Sequence, residues 1–186
     1  MAVREILTAE HAVLRQKAKK IKRVDASTQK LVDDMLESMR AARGLGLAAP
    51  QIGVGLRVLV IEVPEDEEAH GGEQVILINP EITKAEGEQF GEEGCLSIPG
   101  YVGMVRRANQ VSVKGLNRKG KEVRVRGTGL LARALQHEID HLDGILFTDR
   151  LEKPEDLYRL GDDNERVPVF QGGAVRPAKK HEPVLT

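Results

Sequence analysis

Two histidines four residues apart, His137 and His141, stand in the run His137-Glu138-Ile139-Asp140-His141. On a helix, positions i and i+4 share a face, so both imidazoles can reach one metal ion. Glu138 sits one residue along. It is better placed to hold a water on that ion than to ligate it. The plain alternative is a surface helix that happens to carry two histidines. The chain has five histidines, and the chance of this pattern is about one in a hundred.

The third ligand decides the chemistry. Proteases of the H-E-x-x-H-x-x-G-x-x-H type use a third histidine. Here the run is HEIDHLDGILF: Gly144 is present, but Phe147 occupies the third ligand position. Glu152, Glu155 and Glu165 are acidic alternatives near Pro154 or in an aperiodic stretch, a poor place for a rigid ligand. Cys95 is the only thiol, in Glu93-Gly94-Cys95-Leu96-Ser97. A lone cysteine is commonly a small buried hydrophobe. Its polar, glycine-flanked setting points instead to ligation, and a Cys-His-His set leaves a fourth tetrahedral position open for water.

A third segment, Gly44-Leu45-Gly46-Leu47-Ala48-Ala49-Pro50-Gln51, is built of small residues that let a ligand's backbone come close. Gln51 offers an amide donor for a developing oxyanion. Read alone, the run is also what a helix end followed by a loop looks like. It is not a phosphate loop, because no Gly-Lys-Ser/Thr follows.

The elements that must position these groups are partly readable. Leu31, Val32, Met35, Leu36 and Met39 line one face of a helix over 26–43, capped by Asp25 or Ser27 and stopped by Gly44. Residues 56–63 predict a strand, followed by the acidic loop 64–73. A second strand, Val75 to Ile78, is expected to end at Pro80, with a third over 81–86. Residues 109–127 predict a hairpin turning at Asn117-Arg118-Lys119-Gly120. A helix over 128–142 follows, with Thr128 as its cap and Gly144 as its stop. After Arg150 one helical turn and then an irregular tail are expected. Strands first and a central helix later predict an α+β fold: small antiparallel sheets around the H-E-x-x-H helix, with an N-terminal helix. The domain reading is a catalytic unit over 1–150 and a C-terminal extension over 151–186.

Composition bounds the rest. The chain has 186 residues, 28 Lys+Arg and 29 Asp+Glu, for a formal net charge of −1. Without a basic block, electrostatic binding of DNA is not expected. Aromatics are 3% and Trp is absent, which argues against base-stacking platforms. One cysteine forms no intrachain disulfide, and nothing argues for an oxidising compartment. Arg4, Glu5 and Glu10 interrupt any signal-peptide core, and the charge-light stretch Gly44 to Leu56 contains Pro50 and Gln51 and is too short to span a membrane. The expected compartment is the cytoplasm, with no membrane partner.

Together the three segments resemble peptide deformylase, whose pattern is G-x-G-x-A-A-x-Q, then E-G-C-x-S, then Q-H-E-x-D-H. They occur in that order as Gly44 to Gln51, Glu93 to Ser97 and Gln136 to His141. The resemblance spans residues 5–150 and includes HAVLRQKAKKI, although Ala12 stands where a proline is usual. The long C-terminal helix of some members has no counterpart. The resemblance implies a metal-dependent hydrolase that removes the N-formyl group from N-formylmethionine of nascent polypeptides, at the ribosome, as a monomer. It implies Fe²⁺ natively, with Zn²⁺, Ni²⁺ or Co²⁺ able to take its place. The implied ligands are Cys95, His137 and His141. Glu138 would be the general acid/base for attack by a metal-bound hydroxide. The Gln51 side chain and the Leu96 backbone N–H would face the oxyanion. Leu45, Gly46 and Gly94 would pair with the substrate backbone like an added strand.

For the formylmethionine side chain, the turn before His137 offers Leu130 and Ala134, and the 44–51 loop offers Leu45; all three also read as plain core residues. On that reading Ala134→Phe would narrow the slot. Asp140 precedes His141 by one residue, so it is expected to point away from the metal face. The imidazoles' second hydrogen bonds should then come from other segments, the 44–51 loop or backbone carbonyls. The competing readings are a zinc peptidase with a different third ligand and a non-catalytic metal-binding domain. Cys95→Ala separates the first: it should strip metal from a Cys-His-His site and leave a peptidase's metal content intact, as measured by elemental analysis.

Overall fold

The computed structural model describes residues 2–170. Helix α1 (Ala26–Ala41) starts at Asp25, whose carboxylate accepts from Thr28 N–H at 3.0 Å, so Asp25 and not Ser27 is the cap. Nine strands follow: β1 (Gly46–Ala48), β2 (Val58–Glu62), β3 (Gln74–Glu86), β4 (Gln89–Gly94), β5 (Tyr101–Arg107), β6 (Gln110–Leu116), β7 (Glu122–Thr128), β8 (Leu157–Leu160) and β9 (Arg166–Pro168). Helix α2 (Gly129–Leu142) lies between β7 and β8. All pairings between the strands are antiparallel, in a five-stranded sheet ordered β1-β2-β3-β6-β7 and a four-stranded sheet ordered β4-β5-β8-β9. This is the expected α+β architecture.

The larger sheet is sandwiched between the helices. In β2, Val58 and Val60 face Val32, Met35 and Met39 of α1, while Leu59 and Ile61 face Leu131, Leu135 and Leu142 of α2. Alternate residues of a strand point to opposite faces, so a strand covered on both sides reads as a continuous apolar run. That accounts for the sequence of β2.

Two expectations change. Pro80 does not end a strand: β3 runs unbroken for 13 residues, and its register against β6 slips between Ile78 and Glu81. The proline lacks an N–H, and a bulge is where a ladder tolerates that loss. The stretch after Arg150 is also more ordered than expected. Pro154–Asp156 forms the one expected helical turn, as a short 3-10 turn, but β8 and β9 then pair to complete the smaller sheet. Strands of four and three residues carry too little periodicity to be read; β8 is set by pairing with β5, and β9 by pairing with β8. The part of the expected tail beyond Phe170 lies outside the described residues. Among the described residues, no helix is long and apolar enough to cross a membrane.

Both ends of α2 are tied to other elements. Thr128 occupies the cap position, but its side chain makes no capping bond; its hydroxyl lies 3.2 Å from His70 Nε2 in the acidic loop. At the far end, buried Arg57 donates to Leu142 O at 3.1 Å and to Asp143 Oδ1 at 2.7 Å. A cation there also suits the helix dipole. Gly144 turns the chain away at φ +77°, and a Cβ on it would lie 2.8 Å from the Arg15 carbonyl. Gly144→Ala is therefore expected to cost about 2 kcal/mol from the left-handed backbone and the collision. In a thermal melt that is a drop of roughly 4–8 °C for a chain of this size.

Candidate active site

Helix α2 places Arg133, His137 and His141 at i, i+4 and i+8, one stripe facing the end of β4. Cys95 follows β4 directly. Its Sγ lies 3.2 Å from His141 Nε2, and one donor atom from each of Cys95, His137 and His141 falls within 4.8 Å of the others. All three residues are buried. Burial pushes the Cys95 thiol up, but the His141 and His137 imidazoles beside it outweigh that and hold it well below the ordinary thiol range.

Glu138 is turned one position round the helix, against β1. A side chain on Gly46 would collide with its carboxylate, so this contact requires glycine. Glu138 Oε2 is buried without a hydrogen-bond partner among the described residues. Burial pushes this carboxyl up to about 7, against the pull of His137 and His141. Buried carboxylate oxygens are ordinarily satisfied. An unsatisfied one beside a sulfur and two imidazole nitrogens fits a divalent ion with a water next to it. The three-donor set with an open side has the composition of a catalytic centre rather than a closed structural one.

The Gln51 side chain reaches the same sulfur. Its Oε1 accepts from Ala48 N–H at 2.8 Å, and its Nε2 lies 3.6 Å from Cys95 Sγ and 3.2 Å from Ser97 Oγ. Leu96 sits in the turn just after Cys95, and among the described residues its N–H has no hydrogen-bond acceptor.

Strand β1 is the edge of the larger sheet and β4 the edge of the smaller one. Leu45 O accepts from Glu62 N–H. Antiparallel ladders alternate, so the neighbouring Gly46 turns its own N–H and C=O to the open edge. Gly94 is the last residue of β4. Leu45 and Ala134 lie in the core between α2 and the larger sheet, with Leu130 half-buried against it. Ala134 is 0% exposed, so Ala134→Phe would overpack that core, an effect distinct from the narrowed slot expected from the sequence.

Asp140 points away from the metal face, as expected. It accepts from Arg107 Nη1 at 2.5 Å and from Arg150 Nη2 at 2.6 Å. The expected second hydrogen bond is absent at His141, whose Nδ1 is buried with no partner among the described residues. The partner of His137 does come from another segment, but neither from the 44–51 loop nor from a carbonyl. It is Glu93, whose Oε2 lies 2.9 Å from His137 Nδ1. Glu93 is 0% exposed and also receives Arg107 Nε and Nη2 at 2.9 and 3.0 Å and Arg133 Nη1 at 3.0 Å. Burial pushes its carboxyl up, yet Arg107 and His137 hold it far below the usual carboxylate range. With Nδ1–H donating to Glu93, His137 has Nε2 free as the nitrogen that could hold a metal.

Sequence reasoning missed Glu93, Arg107, Arg133 and Ser97 as parts of the site. Signals were present: Glu93 and Ser97 are fixed positions of the E-G-C-x-S pattern, and Arg133 stands four residues before His137, a charge on the stripe that carries both histidines. Glu93→Gln removes the buried carboxylate that Arg107 and Arg133 share, leaving Asp140 as the acid partner of Arg107. The expected cost is about 3 kcal/mol or more in urea unfolding, with a ~10–100-fold loss of zinc affinity in a chelator competition.

Comparison with known proteins identifies the family. The polypeptide deformylase family model matches residues 3–156. A peptide deformylase of Thermomicrobium roseum is 55% identical over 169 residues, 90% of this chain and 96% of that one. One from Dehalococcoides mccartyi is 52% identical over 165 residues, covering 89% and 96%. Among solved structures, a peptide deformylase from Legionella pneumophila superimposes with a TM-score of 0.75 at 50% identity, covering 81% of this chain and 87% of that one. The peptide deformylase from Ehrlichia chaffeensis in complex with actinonin gives 0.78 at 43% identity, covering 82% and 91%. With a family match over residues 3–156 and near-complete coverage of relatives at such identities, the protein belongs to the peptide deformylase family of hydrolases.

Proposed function

We propose that the protein removes the formyl group from N-formylmethionine at the start of nascent polypeptides, in the cytoplasm, as a monomer meeting its substrates at the ribosome. The observation that carries this reading is the buried, unpartnered Glu138 carboxylate beside Cys95, His137 and His141. A divalent ion held by those three residues, Fe²⁺ natively with Zn²⁺, Ni²⁺ or Co²⁺ as substitutes, would act as the Lewis acid that makes water nucleophilic near neutral pH.

The chain's own residues supply the rest. The peptide backbone adds as a strand between the open edges at Gly46 and Gly94, which brings the formyl carbon to the site. The methionine side chain lies beside Leu45 and half-buried Leu130, with fully buried Ala134 in the core on which they pack. Glu138 takes the proton of the attacking water, a task for which its buried, unpartnered carboxylate is placed. The water oxygen bonds to the formyl carbon. Gln51 Nε2 and Leu96 N–H donate to the oxyanion that forms; one such donor is typically worth ~2.7–4 kcal/mol. Glu138 then returns the proton to the leaving nitrogen, the C–N bond breaks, and formate and a free α-amine result.

Formate release from a formyl-Met-Ala-Ser peptide by anaerobically prepared protein tests this reading. Wild type should release one formate per peptide consumed. Glu138→Gln should keep its metal and lose about 10²–10⁴-fold in kcat, the usual range for a general acid/base. Formate release by Glu138→Gln at the wild-type rate would overturn the assignment of that carboxylate.

A further inference from the structure

Gln51 is held by more than its own loop. A backbone N–H can only donate, so the bond from Ala48 N–H fixes Oε1 on that side and leaves Nε2 facing Cys95 Sγ and Ser97 Oγ. Cys95 Sγ, at 3.6 Å, is one of the candidate ligands and shares its remaining lone pairs with the amide, whereas Ser97 Oγ, at 3.2 Å, is an acceptor that is not itself a ligand. The Ser97 hydroxyl is then the amide's independent acceptor. Ser97 is 1% exposed, and among the described residues its hydroxyl has no other partner. The backbones of the same two residues are stapled together. Leu7 N–H donates to Gln51 O at 2.8 Å and Ala9 N–H to Ser97 O at 2.9 Å, so alternate residues of one extended N-terminal segment bridge the two loops. That segment is itself anchored on α1, where Arg4 N–H donates to Ser38 Oγ at 2.8 Å.

We propose that Ser97 is a positioning residue for the reaction: its hydroxyl, on a loop fixed by the N-terminal strap, holds the Gln51 amide where the oxyanion forms. This rests on the reading of Gln51 as an oxyanion donor. Ser97 touches neither the reacting atoms nor the three candidate ligands through its hydroxyl. Its effect passes through Gln51 alone.

A double-mutant cycle tests it, with zinc content and thermal stability measured on every variant. Ser97→Ala should lower kcat about tenfold with KM and zinc content unchanged. Ser97→Thr, which keeps the acceptor oxygen, should recover to within about threefold of wild type. Gln51→Ala should cost about 10²–10³ in kcat, and adding Ser97→Ala to it should cost nothing more. If the tenfold loss recurs in the Gln51→Ala background, Ser97 acts independently of Gln51 and the proposal is overturned. A rise in KM alone overturns it as well. Wild-type kcat in Gln51→Ala would instead remove Gln51 from the oxyanion site, and the proposal with it. One measurement needs no variant: nitrogen relaxation of the Gln51 side-chain amide in the zinc-loaded protein. An order parameter near the ~0.85 of rigid backbone is expected, and a value below ~0.6 contradicts a held amide.

Discussion

The site depends on one fully buried carboxylate. Glu93 has no exposure to water and is surrounded by Arg107, Arg133 and the His137 imidazole. Taking a carboxylate out of water is unfavourable unless its lone pairs are filled, and these are filled from three directions. Arg107 comes from β5, Glu93 from β4, and Arg133 and His137 from α2, so the demand for pairing welds the smaller sheet to the catalytic helix. Buried charge clusters add little net stability over an apolar core. What this one supplies is placement: it sets the His137 tautomer and fixes the strand that delivers Cys95 two residues later.

The charges continue in alternation beyond Glu93. Arg107 passes from Glu93 to Asp140, and Asp140 to Arg150, so the helix is held on its metal face and on the neighbouring one. The opposite flank is apolar, with Leu131, Leu135 and Leu142 packed on Leu59 and Leu77 of the larger sheet. The helix is thus clamped between a polar network and an apolar core. A site held from both sides suits chemistry that needs several groups in fixed positions. Glu138, between these flanks, lies against Gly46, and its Oε2 is buried without a hydrogen-bond partner among the described residues.

Much of this was legible in the chain. The i, i+4 histidines, the polar-flanked cysteine and the small-residue run named the groups that converge, because helical period and side-chain chemistry are local properties. The two long helices and the β6–β7 hairpin followed from period and turn residues. What could not be read arises from long-range pairing. Glu93 and Arg107 lie 14 residues apart on neighbouring strands of a hairpin that starts in Gln-Phe-Gly-Glu-Glu-Gly, a poor strand sequence by composition. Pro80 signals an end by local rules, yet a bulge absorbs it. Strands β8 and β9 are too short to show a period. The tie between Ser97 and Gln51 spans 46 residues and two loops; neither loop alone contains any sign of the other.

The convergence of Cys95, His137 and His141 on one ion is the central claim, and X-ray absorption spectroscopy of the zinc-loaded protein tests it most directly. One sulfur scatterer at ~2.3 Å together with nitrogen or oxygen scatterers at ~2.0–2.2 Å is the expected shell. A shell of nitrogen and oxygen alone, with no sulfur, would contradict the account.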